Sequence, residues 1–104
     1  MKRIAFKMHL NEGQKEEYIR RHNQIWPELK HLLHETGVSE YSIFLDEETN
    51  ILFAFQKVSG DGGSQDLGTT EIVQKWWKYM ADIMETNPDY SPVTRELEEV
   101  FYLK

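Results

Sequence analysis

The hydrophobic pattern changes period along the chain, and each change predicts a new element. From Ile4 to Leu10 every second residue is apolar, which is typical of a strand with one buried face. Across residues 13–36 the apolar residues instead recur at threes and fours, as on an amphipathic helix. Pro27 lacks a backbone donor and disfavours helical backbone before it, so we expect two helical pieces with Pro27 in the first turn of the second. Gly37 then supplies a left-handed stop.

The middle of the chain predicts a β-hairpin. Residues 38–45 and Ile51–Val58 are two apolar segments joined by a polar turn at 46–50. Both parities of these strands carry apolar side chains, so we expect a sheet of an identical subunit to cover the face that the helices leave open. Residues 59–64 hold three of the six glycines and are predicted as a surface loop.

The last third of the chain predicts one more helix and one more strand. An apolar stripe at helical spacing runs over residues 72–84, behind a cap at Thr69 or Thr70. Two prolines then enforce irregular backbone before residues 100–103, which are predicted as a short strand. The order βαββαβ predicts an α+β, ferredoxin-like fold with helices on one face of a four-stranded antiparallel sheet.

Length and composition narrow the possible functions. At 104 residues the chain is expected to form a single domain over 1–104. The formal net charge of −6 argues against nucleic-acid and anionic-membrane partners. There is no cysteine for a disulfide, a thiolate metal site or a nucleophile, and no apolar run predicts a signal peptide or a membrane span. We therefore expect a cytoplasmic protein.

Five residues are candidates for a binding or catalytic site. Tyr18 and His22 lie four positions apart on one helix face, and the pKa of free histidine, about 6.5, suits proton transfer near neutral pH. The adjacent Trp76 and Trp77 diverge by about 100°, so we expect one of them to pack while the other faces a cleft, where an indole face suits the apolar C–H face of a sugar. The hydroxyl of Tyr41, on the packed face of its strand, needs a partner. Each residue also has a purely structural interpretation, as helix flank or core.

A metal site is a weaker possibility. Glu28, His31, His34 and Glu35 contain the Glu-x-x-His spacing of di-iron carboxylate bundles. Such sites need several of these motifs on long facing helices, which this chain lacks, so we expect a solvated helix face. The sequence contains no phosphate loop, dinucleotide fingerprint or nucleophile elbow.

Several segments together, in this order, resemble the L-rhamnose mutarotase family from Phe6 to Leu103. They are Tyr18-Ile19-Arg20-Arg21-His22-Asn23, Ile25-Trp26-Pro27-Glu28-Leu29, Trp76-Trp77-Lys78-Tyr79-Met80, Asn87-Pro88-Asp89, Ser91-Pro92 and Leu97-Glu98-Glu99-Val100-Phe101-Tyr102-Leu103. The combination is specific for so short a chain. The glycine-rich segment 59–68 departs from the resemblance, because a less glycine-rich, partly helical approach to the second long helix is expected there.

The resemblance implies a homodimeric, ferredoxin-like α/β barrel that interconverts the α and β anomers of L-rhamnose. That activity is an isomerisation and needs no metal and no organic cofactor. By position, the resemblance implies that His22 is the proton donor and that Tyr18, Tyr41, Trp76 and Trp77 bind the sugar.

Two other functions remain open at this point. The chain is a non-catalytic sugar-binding module if it binds rhamnose without accelerating anomer exchange. It is a haem-handling monooxygenase of the dimeric α/β barrel type if His22 binds iron, because one fold hosts many activities.

Overall fold

A computed structural model describes residues 1–60 and 62–104. The strands are β1 (Lys2–His9), β2 (Val38–Asp46), β3 (Ile51–Val58) and β4 (Arg95–Leu97). The helices are α1 (Lys15–Asn23), α2 (Pro27–Glu35) and α3 (Glu71–Met80), with a short 3-10 helix at Ser64–Asp66.

The four strands form one antiparallel sheet in the order β2-β3-β1-β4. In β1 and β3, Phe6 lies opposite Ala54 and Met8 opposite Leu52, and all four are buried against the helices. From the helices, Leu29, Val73, Trp76 and Met80 complete this core. The α+β, ferredoxin-like prediction is confirmed.

The break in the first helical segment is also confirmed. Trp26 has extended backbone, with φ −61° and ψ 131°, and Pro27 begins α2. Proline fits here because the first turn of a helix needs no amide donor at that position. Gly37 has φ +95°, the left-handed conformation that ends the segment before β2.

A bulge in β2 decides which way Tyr41 faces. Ser39 pairs with Lys57 and Ser42 pairs with Phe55, so Glu40 and Tyr41 together lie opposite the single residue Gln56. Glu40 has φ +45°, a left-handed conformation that is costly for a side chain with a Cβ. The extra residue puts Tyr41 on the helix-covered face of the sheet.

Helix α3 is shorter than its apolar stripe predicts. It ends at Met80, and Ile83 and Met84 are buried outside it. The reason is a competing backbone pairing, in which Met84 forms a bridge with Leu10. Thr70 occupies the position before the helix, but its hydroxyl makes no capping hydrogen bond.

The predicted strand at residues 100–103 is wrong. The fourth strand is Arg95–Leu97, which pairs with the β1 segment from Ala5 to Lys7. The apolar residues 100–103 are exposed, and Arg3 holds this tail by pairing with Glu99 at 2.8 Å and by lying over the Tyr102 ring. The apolar run indicates a need for burial and does not by itself specify backbone pairing.

The two faces of the sheet differ in what covers them. The helices bury one face, whereas the other leaves Phe44 62% exposed and Phe55 44% exposed, with their ring centroids 5.9 Å apart. Two exposed phenylalanines in contact form an apolar patch of the kind that marks an interaction surface.

The prediction of a surface loop at residues 59–64 is wrong at its end. Ser59 and Gly60 are exposed, but Gly63 and Ser64 are buried against the sheet. Asp61 lies outside the described residues. A buried polar side chain in β3, Gln56, accounts for this return of the chain, because it bonds to Ser64.

Candidate functional site

A cavity of about 520 Å³ lies between the helices and the sheet, and all five candidate residues line it. Small-molecule sites commonly enclose roughly 300–1,000 Å³. The five are Tyr18 and His22 from α1, Tyr41 from β2, and Trp76 and Trp77 from α3. Three elements that are distant in sequence thus bring these side chains together.

Three aromatic rings form what we call the helix wall of the cavity: Tyr18, His22 and Trp76. The helical repeat stacks Tyr18 on His22, with ring centroids 4.2 Å apart and an interplanar angle of 29°. Trp76 meets the imidazole edge-on at 5.5 Å and 90°. Stacked and edge-on pairs each contribute about 0.5–1.5 kcal/mol beyond the area they bury, so this contact fixes the imidazole plane.

The backbone determines the tautomer of His22. Its Nδ1 lies 3.0 Å from the carbonyl oxygen of Tyr18, and a carbonyl only accepts hydrogen bonds. Nδ1 therefore carries the proton in the neutral ring, and Nε2 keeps a free lone pair. Burial lowers the pKa of His22 below its usual value, against a smaller opposing effect of the carbonyl bond. The ring is neutral at pH 7 and can accept a proton at Nε2.

The hydroxyl of Tyr18 is available to a ligand. Tyr18 is buried, and burial, helped by the nearby Tyr41, raises the pKa of its phenol. The phenol therefore stays protonated at neutral pH and can both donate and accept. Within residues 1–60 and 62–104 its oxygen has no side-chain hydrogen-bond partner, although the residue lines the cavity.

An ion-pair clamp holds α1 against the end of α3. The guanidinium of Arg21, next to His22, is buried and donates to Asp82 at 2.8 Å, to the Tyr79 carbonyl at 2.8 Å and to Glu17 at 2.7 Å. The hydrogen bond from Arg21 lowers the pKa of Asp82. The clamp fixes the distance between the helices that carry His22 and Trp76.

The opposite side, which we call the strand wall, consists of Tyr41 and Ser64 with Gln56 behind them. Ser64 Oγ donates to the Tyr41 hydroxyl at 3.5 Å. Gln56 is 2% exposed and holds Ser64 twice, because its Nε2 donates to Ser64 Oγ at 2.9 Å and its Oε1 accepts from the Ser64 amide at 2.8 Å. Burial raises the pKa of Tyr41, against the opposing bond from Ser64, so this phenol is also neutral.

Ser64 is a polar cavity residue that the sequence analysis missed. The signal was present in β3, where Gln56 shares a parity with Leu52 and Ala54 and so had to be buried. A buried amide requires hydrogen-bond partners. Nothing in local periodicity identifies Ser64 as that partner, because the loop that returns it to the sheet has no repeating pattern.

Both tryptophans line the cavity, so the expectation that only one would face a cleft is wrong. Each is 8% exposed, and Trp76 additionally packs edge-on against Trp26 at 5.1 Å. Trp77 packs against Gly68, where a Cβ would lie 3.0 Å from the indole. The glycine-rich segment thus brings its backbone close to one cavity tryptophan.

The alternative metal ligands remain at the surface. His31 and His34 are exposed, and His31 Nε2 lies 3.5 Å from Glu35 on the same helix. In the part of the chain that the structure describes, no three His, Cys, Asp or Glu side chains come together as a metal site. None of the described helices has the length and apolar character needed to span a membrane.

Comparisons with known proteins agree on one family. A sequence profile described as L-rhamnose mutarotase matches residues 3–103. The chain is 70% identical over 104 residues to an L-rhamnose mutarotase of Formosa agariphila, covering 100% of both chains. It is 69% identical over 103 residues to one of Bacteroides thetaiotaomicron, covering 99% of both. A crystal structure of an L-rhamnose mutarotase from Formosa agariphila matches with a TM-score of 0.93 and 65% identity, covering 100% of both chains.

Fold and cavity together define a ferredoxin-like α+β protein with a sugar-sized site that contains a neutral imidazole. The chain belongs to the L-rhamnose mutarotase family. The resemblance seen in the sequence is confirmed, and with it the class of activity, an anomer-interconverting isomerase. The sugar-binding and haem alternatives find no support in these comparisons.

Proposed function

We propose that this protein interconverts the α and β anomers of L-rhamnose in the cavity between its helices and its sheet, and that His22 carries the proton. The single observation that carries the mechanism is the state of His22, a neutral imidazole whose Nδ1 is engaged by the Tyr18 carbonyl and whose Nε2 has no hydrogen-bond partner among residues 1–60 and 62–104. Membership of the mutarotase family supports the choice of substrate.

Mutarotation requires the sugar ring to open, the C1–C2 bond to rotate and the ring to close on the other face of the carbonyl. Opening removes the proton of the anomeric hydroxyl, whose oxygen forms the C1 carbonyl as the C1–O5 bond breaks. The electrons of that bond go to the ring oxygen, which takes up a proton. Both oxygens are bonded to C1, so one imidazole nitrogen can serve both. His22 Nε2 accepts the anomeric proton and donates it to the ring oxygen, and closure reverses these steps.

Burial of His22 suits this exchange. A depressed pKa keeps Nε2 unprotonated before the reaction and makes the imidazolium, once formed, a ready donor. No net proton is taken from solvent. The general acid–base contribution of such a group is typically about 10²–10⁴-fold in rate.

The other four residues bind the sugar in this proposal. Tyr18 and Tyr41 hold hydroxyls of the substrate, because both phenols are protonated and border the cavity. Trp76 and Trp77 cover the apolar ring face and the C6 methyl group. An apolar pocket rejects an added hydroxyl only about 100-fold, so slow turnover of related sugars is expected.

The proposal includes a homodimer, a single domain over residues 1–104 and a cytoplasmic location. The apolar patch of Phe44 and Phe55 supports a covering subunit, since a second copy offers the same patch in return. The exposed apolar tail at residues 100–103 supports it as well. No metal or organic cofactor has a part in the proposed reaction.

Saturation-transfer proton NMR on equilibrated L-rhamnose tests the function. One anomeric proton is irradiated and the signal of the other is followed with wild type, with His22→Ala and without protein. His31→Ala is the matched control, because His31 is exposed on α2. We expect transfer with wild type and His31→Ala, and a loss of about 10²–10⁴-fold in exchange rate with His22→Ala.

Each other outcome has a defined meaning. Full activity of His22→Ala would assign the proton transfer to another group. Saturable rhamnose binding without exchange would identify a sugar-binding module. A Soret band on adding haemin that disappears in His22→Ala would favour the monooxygenase.

Sedimentation equilibrium tests the dimer. We expect wild type at twice the 12.4 kDa of one chain and Phe44→Glu at the mass of one chain, because a charge in the middle of the patch cannot be desolvated cheaply. Ile19→Glu, at an apolar residue 46% exposed on the helix layer, should remain dimeric. A 12.4 kDa wild type at micromolar concentration would contradict the dimer.

A further inference from the structure

We propose that Gln56 and Ser64 are positioning residues that orient the Tyr41 hydroxyl, so that its proton points away from the protein and is donated to an oxygen of the bound sugar. This inference rests on the proposed function, since it specifies how one of its sugar-binding groups works. Gln56 does not line the cavity, and Ser64 begins the short 3-10 helix that follows β3.

The backbone N–H of Ser64 determines the orientation of the Gln56 amide. The backbone N–H of Ser64 only donates, so the atom of Gln56 that lies 2.8 Å from it must be the oxygen, Oε1. The nitrogen Nε2 therefore faces Ser64 Oγ at 2.9 Å and donates to it. Gln56 is 2% exposed, so no solvent competes for these bonds.

The donors around Ser64 Oγ determine where the Ser64 proton points. Ser64 Oγ accepts from Gln56 Nε2 and from Gln65 Nε2, which occupies both of its lone pairs. Its single proton then goes to the Tyr41 oxygen at 3.5 Å. Hydrogen bonds that act on substrate are often long in the free protein and shorten in the complex.

The hydroxyl of Tyr41 is the last group in this line of hydrogen bonds. Its oxygen accepts from Ser64, so its own proton is left for a partner in the cavity that Tyr41 lines. Chains of hydrogen bonds polarise one another, so the two donors behind Tyr41 strengthen it as a donor. The result is a fixed direction, from Gln56 through Ser64 and Tyr41 to a sugar oxygen.

The backbone is arranged to permit this contact. The bulge at Glu40 places Tyr41 and Gln56 opposite one another on the same face of the sheet. A Cβ on Gly63 would lie 2.5 Å from Gln56 Oε1, so only glycine lets the chain approach closely enough for the Ser64 amide to reach that oxygen.

A double-mutant cycle of Ser64→Ala and Tyr41→Phe tests whether Ser64 acts on the sugar through the Tyr41 hydroxyl. Ser64→Ala should lower the kcat/KM for anomer exchange about 3- to 10-fold, and Tyr41→Phe by at least as much. In the Tyr41→Phe background, Ser64→Ala should have no further effect if Ser64 acts through the Tyr41 hydroxyl, whereas a direct contact of Ser64 with the sugar predicts additive effects. Ser59→Ala, which removes an exposed hydroxyl from the same glycine-rich segment, should match wild type.

Gln56→Glu adds a signature that a structural role would not produce. A carboxylate only accepts, so the Ser64 proton turns towards it and Tyr41 then donates to Ser64 instead of to the sugar. Protonation of the introduced carboxyl restores a donor. The ratio of the variant's kcat/KM to that of wild type should therefore rise as the pH falls.

The outcomes separate this inference from the proposed function. Wild-type activity with an unimpaired Ser64→Ala, or with additive effects in the cycle, overturns the inference and leaves the function intact. If wild type does not catalyse exchange, the function fails, and the same cycle is measured on rhamnose affinity by tryptophan fluorescence, where additivity again overturns the inference. If Gln56→Glu does not fold, as judged by circular dichroism, the Ser64 cycle decides alone.

Discussion

The helix wall and the strand wall of the cavity hold their functional side chains by different interactions. On the helix wall, His22 is held between the rings of Tyr18 and Trp76, and its Nδ1 donates to the backbone carbonyl of Tyr18 on the same helix. On the strand wall, Tyr41 is held through a line of hydrogen bonds to Ser64 and Gln56. Packing fixes the group that moves the proton, and directed hydrogen bonds fix a group that binds the sugar.

The two walls tolerate different perturbations. Ring packing holds the imidazole plane without depending on a hydrogen-bond donor, but it fails when a ring is removed, because a cavity then remains. A hydrogen-bond chain loses its direction when one donor is changed, even where the volume of the site is preserved.

The largest expected effect is on the stability of the helix wall. Trp76→Ala should lower the free energy of unfolding by about 3–5 kcal/mol, because it removes a ring that packs on His22, Trp26 and Tyr79. Tyr41→Phe, which removes only a hydroxyl from the strand wall, should cost about 1 kcal/mol or less. Urea denaturation measures both, and equal losses would contradict the distinction between the walls.

An intermediate effect is expected where the glycine-rich segment meets the strand wall. In Gly63→Ala the new methyl group would overlap Ile4 Cδ1 and Gln56 Oε1, so we expect a loss of about 1–3 kcal/mol and reduced anomer exchange. Gly13 has φ +79° and open space around it, so Gly13→Ala should lower the free energy of unfolding by about 1–2 kcal/mol through backbone strain alone. Its exchange activity should stay at the wild-type level. Loss of activity in both variants would separate activity from the contact at Gly63.

The smallest effect is a displacement of the pH profile that only the helix wall produces. The pKa of His22 is lowered, so its neutral form persists as the pH falls through the ordinary imidazole value of about 6.5. The acid limb of the kcat/KM profile, corrected for exchange without protein, should therefore lie below pH 6.5. The two phenols, whose pKa values are raised, contribute no limb near neutrality. An acid limb above pH 6.5 would contradict the assignment of Nε2 as the base.

The contrast between the walls also explains what sequence alone could predict. Tyr18 and His22 are one helical turn apart, so local spacing is sufficient to place them together. The order of strands and helices, and the break at Pro27, follow from periodicity and from proline geometry in the same way. The resemblance to the mutarotase family supplied Tyr41 and the two tryptophans as sugar-binding residues.

The remaining features depend on interactions between distant segments. Ser64 reaches the cavity because Gln56 of β3 forms a hydrogen bond with it, and no local sequence pattern encodes that contact. The true β4 at Arg95–Leu97 is less apolar than the exposed residues 100–103, so hydrophobicity pointed to the wrong segment. α3 ends at Met80 because Met84 pairs with Leu10, which its apolar stripe cannot indicate.

The bulge in β2 changes which residues of the strand face the helices, from even-numbered positions before it to odd-numbered positions after it. Before it, the even-numbered Val38 is buried on the inward face, and after it the odd-numbered Ile43 lies on that face. Loss or gain of one residue at this point would exchange inward and outward side chains along half of the strand while the rest of its sequence stays the same. Chains of this fold that differ in length here are therefore to be aligned on the bulge, and not on their hydrophobic alternation.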